Sequence, residues 1–438
     1  MTVVNEQTTP WGPVPENKRI VTLDVIRGVA LFGILLENMS LFAFPVEFVN
    51  PVTEYTTAAD QLVAFFRLVF VDGKFYTLFC ILFGMGMVLQ SKRAEESEGA
   101  FTRTYIRRLV VLMLIGVAHG LLLFSADILA FYAVIAFAAL PFRRARSKSV
   151  LVMVFVFFLI SPLMMGGYAV LNPENPIPAE PDWHQLLKNE RLALQATDES
   201  VVSKAGSESF GERAWVPFPS LVTALTSVSK LEFYKFMADE QRIFQTGTFV
   251  EMVWYRAALC FLVLWPLRLI FLSWGILALF LLGVYFAHHS FFETGQHRRA
   301  HQTMLFLGFF LGVILQVVGG AAQGLGNLGL SLSYASAVAL ICAKTSRSIV
   351  VRSLATAGRM ALTNYLGQSV VCGFFFYSYG LGLFGQLALA QAVLMAVPVF
   401  VGQLIFSTAW LRFFQFGPME WVWRTLTYWR IQPMRRRP

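Results

Sequence analysis

The chain has 438 residues, of which 56% are hydrophobic and 15% aromatic, while only 14% are charged. Soluble domains carry roughly a quarter charged residues, so the composition excludes an ordinary soluble protein and reads as an all-α, polytopic integral membrane protein. The formal charge of +9 does not point to nucleic acid, because the basic residues fall in short clusters between apolar runs, a topology signal.

With ~20 apolar residues per crossing, spans are predicted near 20–44, 62–90, 105–124, 127–142, 149–171, 267–289, 303–321, 326–343, 354–377 and 385–409. The first apolar run, ~25 residues, exceeds a signal-peptide core and is expected to remain as a span. One set of connections is basic: Lys18 and Arg19, Lys92 to Arg108, Arg143 to Lys148, Arg298 and Arg299, Lys344 to Arg352, and the tail from Arg412. The other set, at 45–60, 125–127, 323–330 and 378–385, contains no Lys or Arg. The positive-inside rule then places both termini in the cytoplasm. The expected division is a cytoplasmic tail at 1–18, a five-helix membrane region at 19–171, an outer loop at 172–249, a second membrane region at 250–411 and an amphipathic cytoplasmic tail at 412–438. The outer loop is the only long polar region, with 7 Lys plus Arg against 11 Asp plus Glu, and its helical pieces are expected at 182–196 and 230–245. Residues 250–289 are long enough for two crossings. The charge rule favours one, near 267–289, preceded by an interfacial or re-entrant helix.

The first span, RIVTLDVIRGVALFGILLENMSLFAF, carries Asp24, Arg27, Glu37 and Asn38. Ionisable groups in hydrocarbon are costly and face a protein interior or a wet site. At ~100° and 1.5 Å per residue, Arg27 and Asn38 share a face about 16 Å apart. In GVAHGLLLFSADIL, His119 ends one span and Asp127 opens the next. The pair fits a general base with its orienting carboxylate, or equally a histidine that pins two helices; Asp127 alone also suits a helix cap. In DGKFYTLFCILFGMGM, Lys74 needs an ion pair, with Asp24 or Asp72, or an anionic ligand, while the glycines suit close helix packing. In AGRMALTNYLGQS, Arg359 is either a phosphate ligand or a snorkelling end charge. Asn364 and Gln368, four apart, suit interhelical hydrogen bonds or the site itself. In FGPMEWVWRTLTYWR, Glu420 and Arg424 have the spacing of a helical ion pair, and the Trp residues fit either an interfacial anchor or a lid over a cytoplasmic entrance. The four cysteines lack metal or disulfide spacing and read as packing thiols. No metal site is expected.

These motifs, LDVIRGVALFGILLENMS, GKFYTLFCILFGMG, AHGLLLFSADILAFYA, GRMALTNYLGQS and FGPMEWVWRTLTYW, resemble those of the YeiB family of bacterial inner-membrane proteins. That family is similar, more distantly, to the transmembrane acyltransferases, which include surface-sugar O-acetylases and the heparan glucosaminide N-acetyltransferase. The O-acetylases carry an Arg followed eleven residues later by a His on the first helix; here Arg27 matches the Arg, and Asn38 stands at the His position. The resemblance implies transfer of an acyl group, acetyl above all, from cytoplasmic acyl-CoA to an extracytoplasmic acceptor such as a sugar or another hydroxyl or amine compound. His119 and Asp127 would act as the base pair, with Asn38 as oxyanion donor. Arg27, Lys74, Arg359 and Asn364 would be the cofactor ligands, with Asp24, Glu37, Gln368, Glu420 and Arg424 as supporting or lid residues. The lipid bilayer is the expected partner, and a homodimer is compatible. The competing readings are a transporter or flippase whose path uses the same polar stripe, and a membrane scaffold or sensor without turnover.

Overall fold

The computed structural model describes residues 19–45, 57–96, 101–171, 240–292, 297–345 and 347–436. Most of the expected outer loop, the tail 1–18 and most of the segment 45–60 lie outside the described residues. Those described are almost entirely helical, and the only β pairing among them is an isolated bridge between Phe414 and Arg435. Eight helices among them are long and apolar enough to cross a bilayer, so the protein is an all-α, multi-pass membrane protein.

The first region runs α1 (Val21–Ala43), α2 (Ala58–Phe70), α3 (Lys74–Glu96), α4 (Phe101–Leu122), α5 (Leu129–Ala139) and α6 (Ser147–Leu171). A continuous helical path then runs from α7 (Phe249–Ala258) through two π-helical stretches, Leu259–Leu264 and Arg268–Leu272, into α8 (Ser273–His288). The end of the chain holds α9 (Arg298–Val318), α10 (Gln323–Thr345), α11 (Ile349–Arg359), α12 (Ala361–Phe376), α13 (Leu389–Leu394), α14 (Ala396–Phe413) and α15 (Pro418–Tyr428). Arg256 donates to Leu122 O and Arg268 to Asp127 O, so the stretch ahead of α8 lies across the α4–α5 turn. At the far end of α8, His288 bonds Arg143 O and Lys92 donates to Ala287 O, which gathers several Lys- and Arg-rich helix ends into one basic end of the bundle.

Helix α1 is the axis. Its residues belong to both hydrophobic clusters of the interior, Leu23 to Ala30 in one and Leu31 to Ala43 in the other. Most of its residues are buried, and α3, α10, α11, α12 and α14 pack around it. Helices α6 and α9 instead turn residues such as Phe155, Leu163, Phe306 and Phe310 outward, more than 60% exposed, as the bilayer-facing rim requires.

Two glycines set the approach of α11 to α1. A Cβ on Gly358 would lie 1.8 Å from Asp24 O, and one on Gly28 would lie 2.1 Å from Leu354 O. Replacing Gly358 with Ala must therefore push α1 and α11 apart, and overpacking of this kind destabilises by about 1–3 kcal/mol or more. Gly358→Ala is expected to lower the thermal unfolding midpoint by several degrees. Gly402→Ala, where nothing lies within 4 Å, is expected to leave it unchanged.

The single apolar run expected at 62–90 is interrupted. Val71–Gly73 forms a turn with Gly73 at φ +86°, so α2 is a separate helix and the crossing element is α3. Lys74 therefore opens a span rather than lying in the middle of one.

Candidate functional site

The basic end of the bundle encloses a cavity of about 280 Å³ between α1, α3, α4, α5, α12 and α15, near the lower bound for ligand pockets. Arg19, Arg27, Arg93, Arg108, Arg359 and Arg424 line it, against two carboxylates, Asp24 and Glu420. Apolar side chains make up much of the rest of the wall, among them Ile34, Phe79, Leu82, Phe83 and Leu112, and Ile128, Tyr132 and Tyr365 line it as well. From Arg19 to Ile34 the wall follows α1 for about 22 Å, at 1.5 Å per residue. Asp24 is held between two guanidiniums, Arg19 Nε at 3.0 Å and Arg27 Nη1 at 2.8 Å.

Helix α15 closes one side of the cavity. Trp423 Nε1 donates to Arg108 O at 2.9 Å, Arg107 donates to Thr427 O, and the Arg108 guanidinium lies 3.6 Å from the Trp423 ring centroid. Glu420 accepts from the backbone N–H groups of Leu362 and Thr363 and from the Thr363 hydroxyl. A carboxylate at these orphan amides suits the start of α12, where the helix dipole is positive. The Glu420–Arg424 ion pair expected from spacing does not form, because the carboxylate is taken by α12 and the Arg424 guanidinium stacks on Phe416, 4.6 Å from its centroid. Burial pushes the Glu420 carboxyl above its ordinary value. Burial, then the nearby Arg108 charge, lowers Arg424 to about 10, which leaves it a cation at neutral pH. Glu420, Trp423, Arg424 and Tyr428 all line the cavity.

Outside the cavity lining but next to it, His119 Nδ1 lies 2.8 Å from Asp127 Oδ1, and His119 Nε2 lies 2.8 Å from the Ser369 hydroxyl. Ala130 N–H donates to the other Asp127 oxygen at 3.0 Å. In the tautomer with the proton on Nδ1, the imidazole donates to the Asp127 carboxylate and Nε2 accepts from the serine hydroxyl. All three side chains are buried. Asp127 both caps α5 and orients the imidazole, so the two roles read from its position coexist. Ser369 was not singled out by its sequence context. It sits 250 residues from His119 in the chain, and only the fold brings α4, α5 and α12 together.

The remaining candidates divide. Arg27 and Arg359 line the cavity, together with Arg19, Arg93 and Arg108, whose positions had read only as topology charges. Lys74 does not: its ammonium donates to Leu68 O at 2.6 Å and Asp72 O at 2.7 Å, tying the end of α2 to the start of α3. The carboxylates of Asp24 and Asp72 are instead paired with arginines, Asp72 with Arg67 at 3.1 Å. Glu37 joins the same turn by accepting from Gly73 N–H at 3.1 Å. Asn38, one residue further along α1, lines neither the cavity nor the His119 hydrogen bonds, because both ring nitrogens are already taken. Asn364 bonds Ala357 O and Ser407, and Gln368 bonds Gln403 and, at 3.4 Å, Leu31 O. Both amides thus hold helices together, and Asn364 is not a cavity ligand. Among the described residues, no three His, Cys, Asp or Glu side chains gather as a metal centre.

Residues 268–430 match the family described as "Protein of unknown function (DUF418)". The chain is 32% identical over 439 residues to the uncharacterized protein YxaH of Bacillus subtilis, covering 97% of this chain and 98% of the relative. It is 28% identical to the uncharacterized protein YeiB of Escherichia coli, over 94% of this chain and 96% of the relative. It is 25% identical to an uncharacterized 39.9 kDa protein of Bacillus acidopullulyticus, over 96% and 97% of the two chains. No solved structure matches the chain. Relatedness of this extent, along nearly the whole length, means that the chain belongs to the YeiB-like family of multi-pass membrane proteins.

Proposed function

We propose that the protein is an acyltransferase of the bacterial inner membrane, taking an acyl group, acetyl first among them, from acyl-CoA on the cytoplasmic side and delivering it to an extracytoplasmic hydroxyl or amine compound. The observation that carries the reading is a juxtaposition: a cavity lined by six arginines and by apolar side chains lies next to a His–Asp pair, with Tyr365 of the cavity wall 5.1 Å from the imidazole. Guanidinium groups match phosphate geometry in bidentate fashion, so Arg27, Arg359 and their neighbours suit the phosphates of an acyl-CoA. The apolar stretch suits its acyl-bearing arm. By the positive-inside rule this mouth faces the cytoplasm, where acyl-CoA is found. His119, oriented by Asp127, takes the proton of the attacking hydroxyl or amine, a contribution typically worth 10²–10⁴ in rate.

Purified protein is expected to melt at a higher temperature in the presence of acetyl-CoA or CoA, because a ligand of the folded state stabilises it by mass action. It is also expected to hydrolyse the thioester slowly when no acceptor is present. CoA-independent flux of a solute through reconstituted vesicles, with no thermal shift, would instead identify a transporter.

A further inference from the structure

The site has more chemistry in it than a lone general base. We propose that Ser369 is an acyl-carrying nucleophile, with His119 and Asp127 completing its relay, and that the transferred group rests on its oxygen between donor and acceptor. This inference rests on the acyl-transfer reading and adds a covalent intermediate to it.

Three observations carry it. The order Asp127 Oδ1, His119 Nδ1, His119 Nε2, Ser369 Oγ is continuous, with 2.8 Å at both ring nitrogens; this is the arrangement by which an imidazole activates a hydroxyl. A serine that only pinned helices would be served by any acceptor. Here it is aimed at the ring nitrogen opposite the one that meets a carboxylate. Second, each triad residue belongs to a helix or turn that also lines the cavity. Ser369 follows Tyr365 by one turn of α12, His119 follows Leu112 by two turns of α4, and Asp127 adjoins Ile128. The Tyr365 ring, 5.1 Å from the imidazole, is the partition. Third, on the other side of Asp127 lies a void of about 10 Å³ bounded by Gly120, Ser125, Cys260 and Trp265. A thioester bound against Tyr365 lies one aromatic side chain from the imidazole.

The first step forms a bond from Ser369 Oγ to the thioester carbon as the serine proton passes to His119 Nε2. The C–S bond then breaks, and the departing thiolate takes that proton to leave as free CoA. In the second step an acceptor hydroxyl or amine attacks the Ser369 ester, gives its proton to Nε2, and Ser369 Oγ recovers it on leaving. No oxidant or metal is required, and Tyr365 must swing aside for the first step.

The test uses the full chain in lipid nanodiscs. A serine-reactive fluorophosphonate is expected to label Ser369, with labelling lost in Ser369→Ala and at least tenfold slower in His119→Gln. Incubation with radiolabelled acetyl-CoA and no acceptor is expected to release CoA in a burst and leave the acetyl group on the Ser369 peptide. Ser369→Cys is expected to retain the acetyl group as a thioester, cleaved by neutral hydroxylamine, which keeps the test open should Ser369→Ala fail to fold. Fluorophosphonate that leaves Ser369 unlabelled in the native protein overturns the proposal. So does an acetyl transfer that Ser369→Ala supports within about twofold, and in that case direct transfer with His119 as base still stands. Absence of any CoA binding or thioester cleavage removes the acyl-transfer reading along with it.

Discussion

His119→Gln is expected to reduce acyl transfer by about 10²–10⁴, the range for removing a positioned base, while the thermal shift produced by CoA stays as large as in the native protein. The separation follows from where the residue lies: His119 is behind Tyr365, outside the wall of the arginine-lined cavity. Glutamine is the informative replacement. Its amide stands where Nε2 stood, so the Ser369 hydroxyl keeps a polar partner, while the Asp127 carboxylate keeps the Ala130 N–H; a buried group left without any partner would cost about 1–3 kcal/mol and confuse chemistry with folding. Single-turnover rates with acetyl-CoA, together with melting curves with and without CoA, read the two effects separately. A variant that turns over within threefold of the native rate would remove His119 from the chemistry and return it to a helix pin.

A loss of both transfer and CoA binding would carry a different message. It would mean that the cavity reaches the imidazole in solution and that Tyr365 does not partition them.

The parts of this architecture that were legible in the sequence are those set by composition over a whole helix. Crossings announce themselves because ~20 apolar residues must satisfy their own backbone in lipid, and buried polar side chains stand out against them. That is why Arg27, His119, Asp127 and Arg359 were recognisable as a set before any coordinates. Asn364 and Gln368 stood out for the same reason, but their sequence suited interhelical bonds and the site equally, and only the packing of α12 on α14 shows Asn364 consumed between helices. What escaped was everything decided at one residue. The run through Leu68 to Phe75 looks continuous, yet Gly73 at φ +86° breaks it, and this moves Lys74 to the end of α1 opposite Arg27. Spacing alone paired Glu420 with Arg424, although the exposed amides at the start of α12 are the better partner for a carboxylate. A serine in mid-helix carries no local signal that a histidine from 250 residues away will meet it.

Removing single charges from the cavity mouth should separate ligands from scaffolding. Arg27→Gln and Arg359→Gln are each expected to weaken CoA binding by about 2–4 kcal/mol, the order found when one member of a desolvated charge pair is lost. That is roughly 30- to 700-fold in Kd. Arg27 can be removed without orphaning its carboxylate, because Asp24 keeps its 3.0 Å contact with Arg19. Lys74→Met is the matching control. Its ammonium is spent on the carbonyls of Leu68 and Asp72 at the α2–α3 turn, about 16 Å along α1 from Arg27 if Glu37 and Asn38 mark its level. It should lower thermal stability yet leave the affinity of the folded protein within twofold. Titration calorimetry of the three variants at fixed ionic strength checks this, since exposed charges are screened beyond ~8–10 Å. If Lys74→Met loses as much affinity as Arg27→Gln, the ligand lies across both ends of α1, and the arginine-lined mouth is not where the phosphates bind.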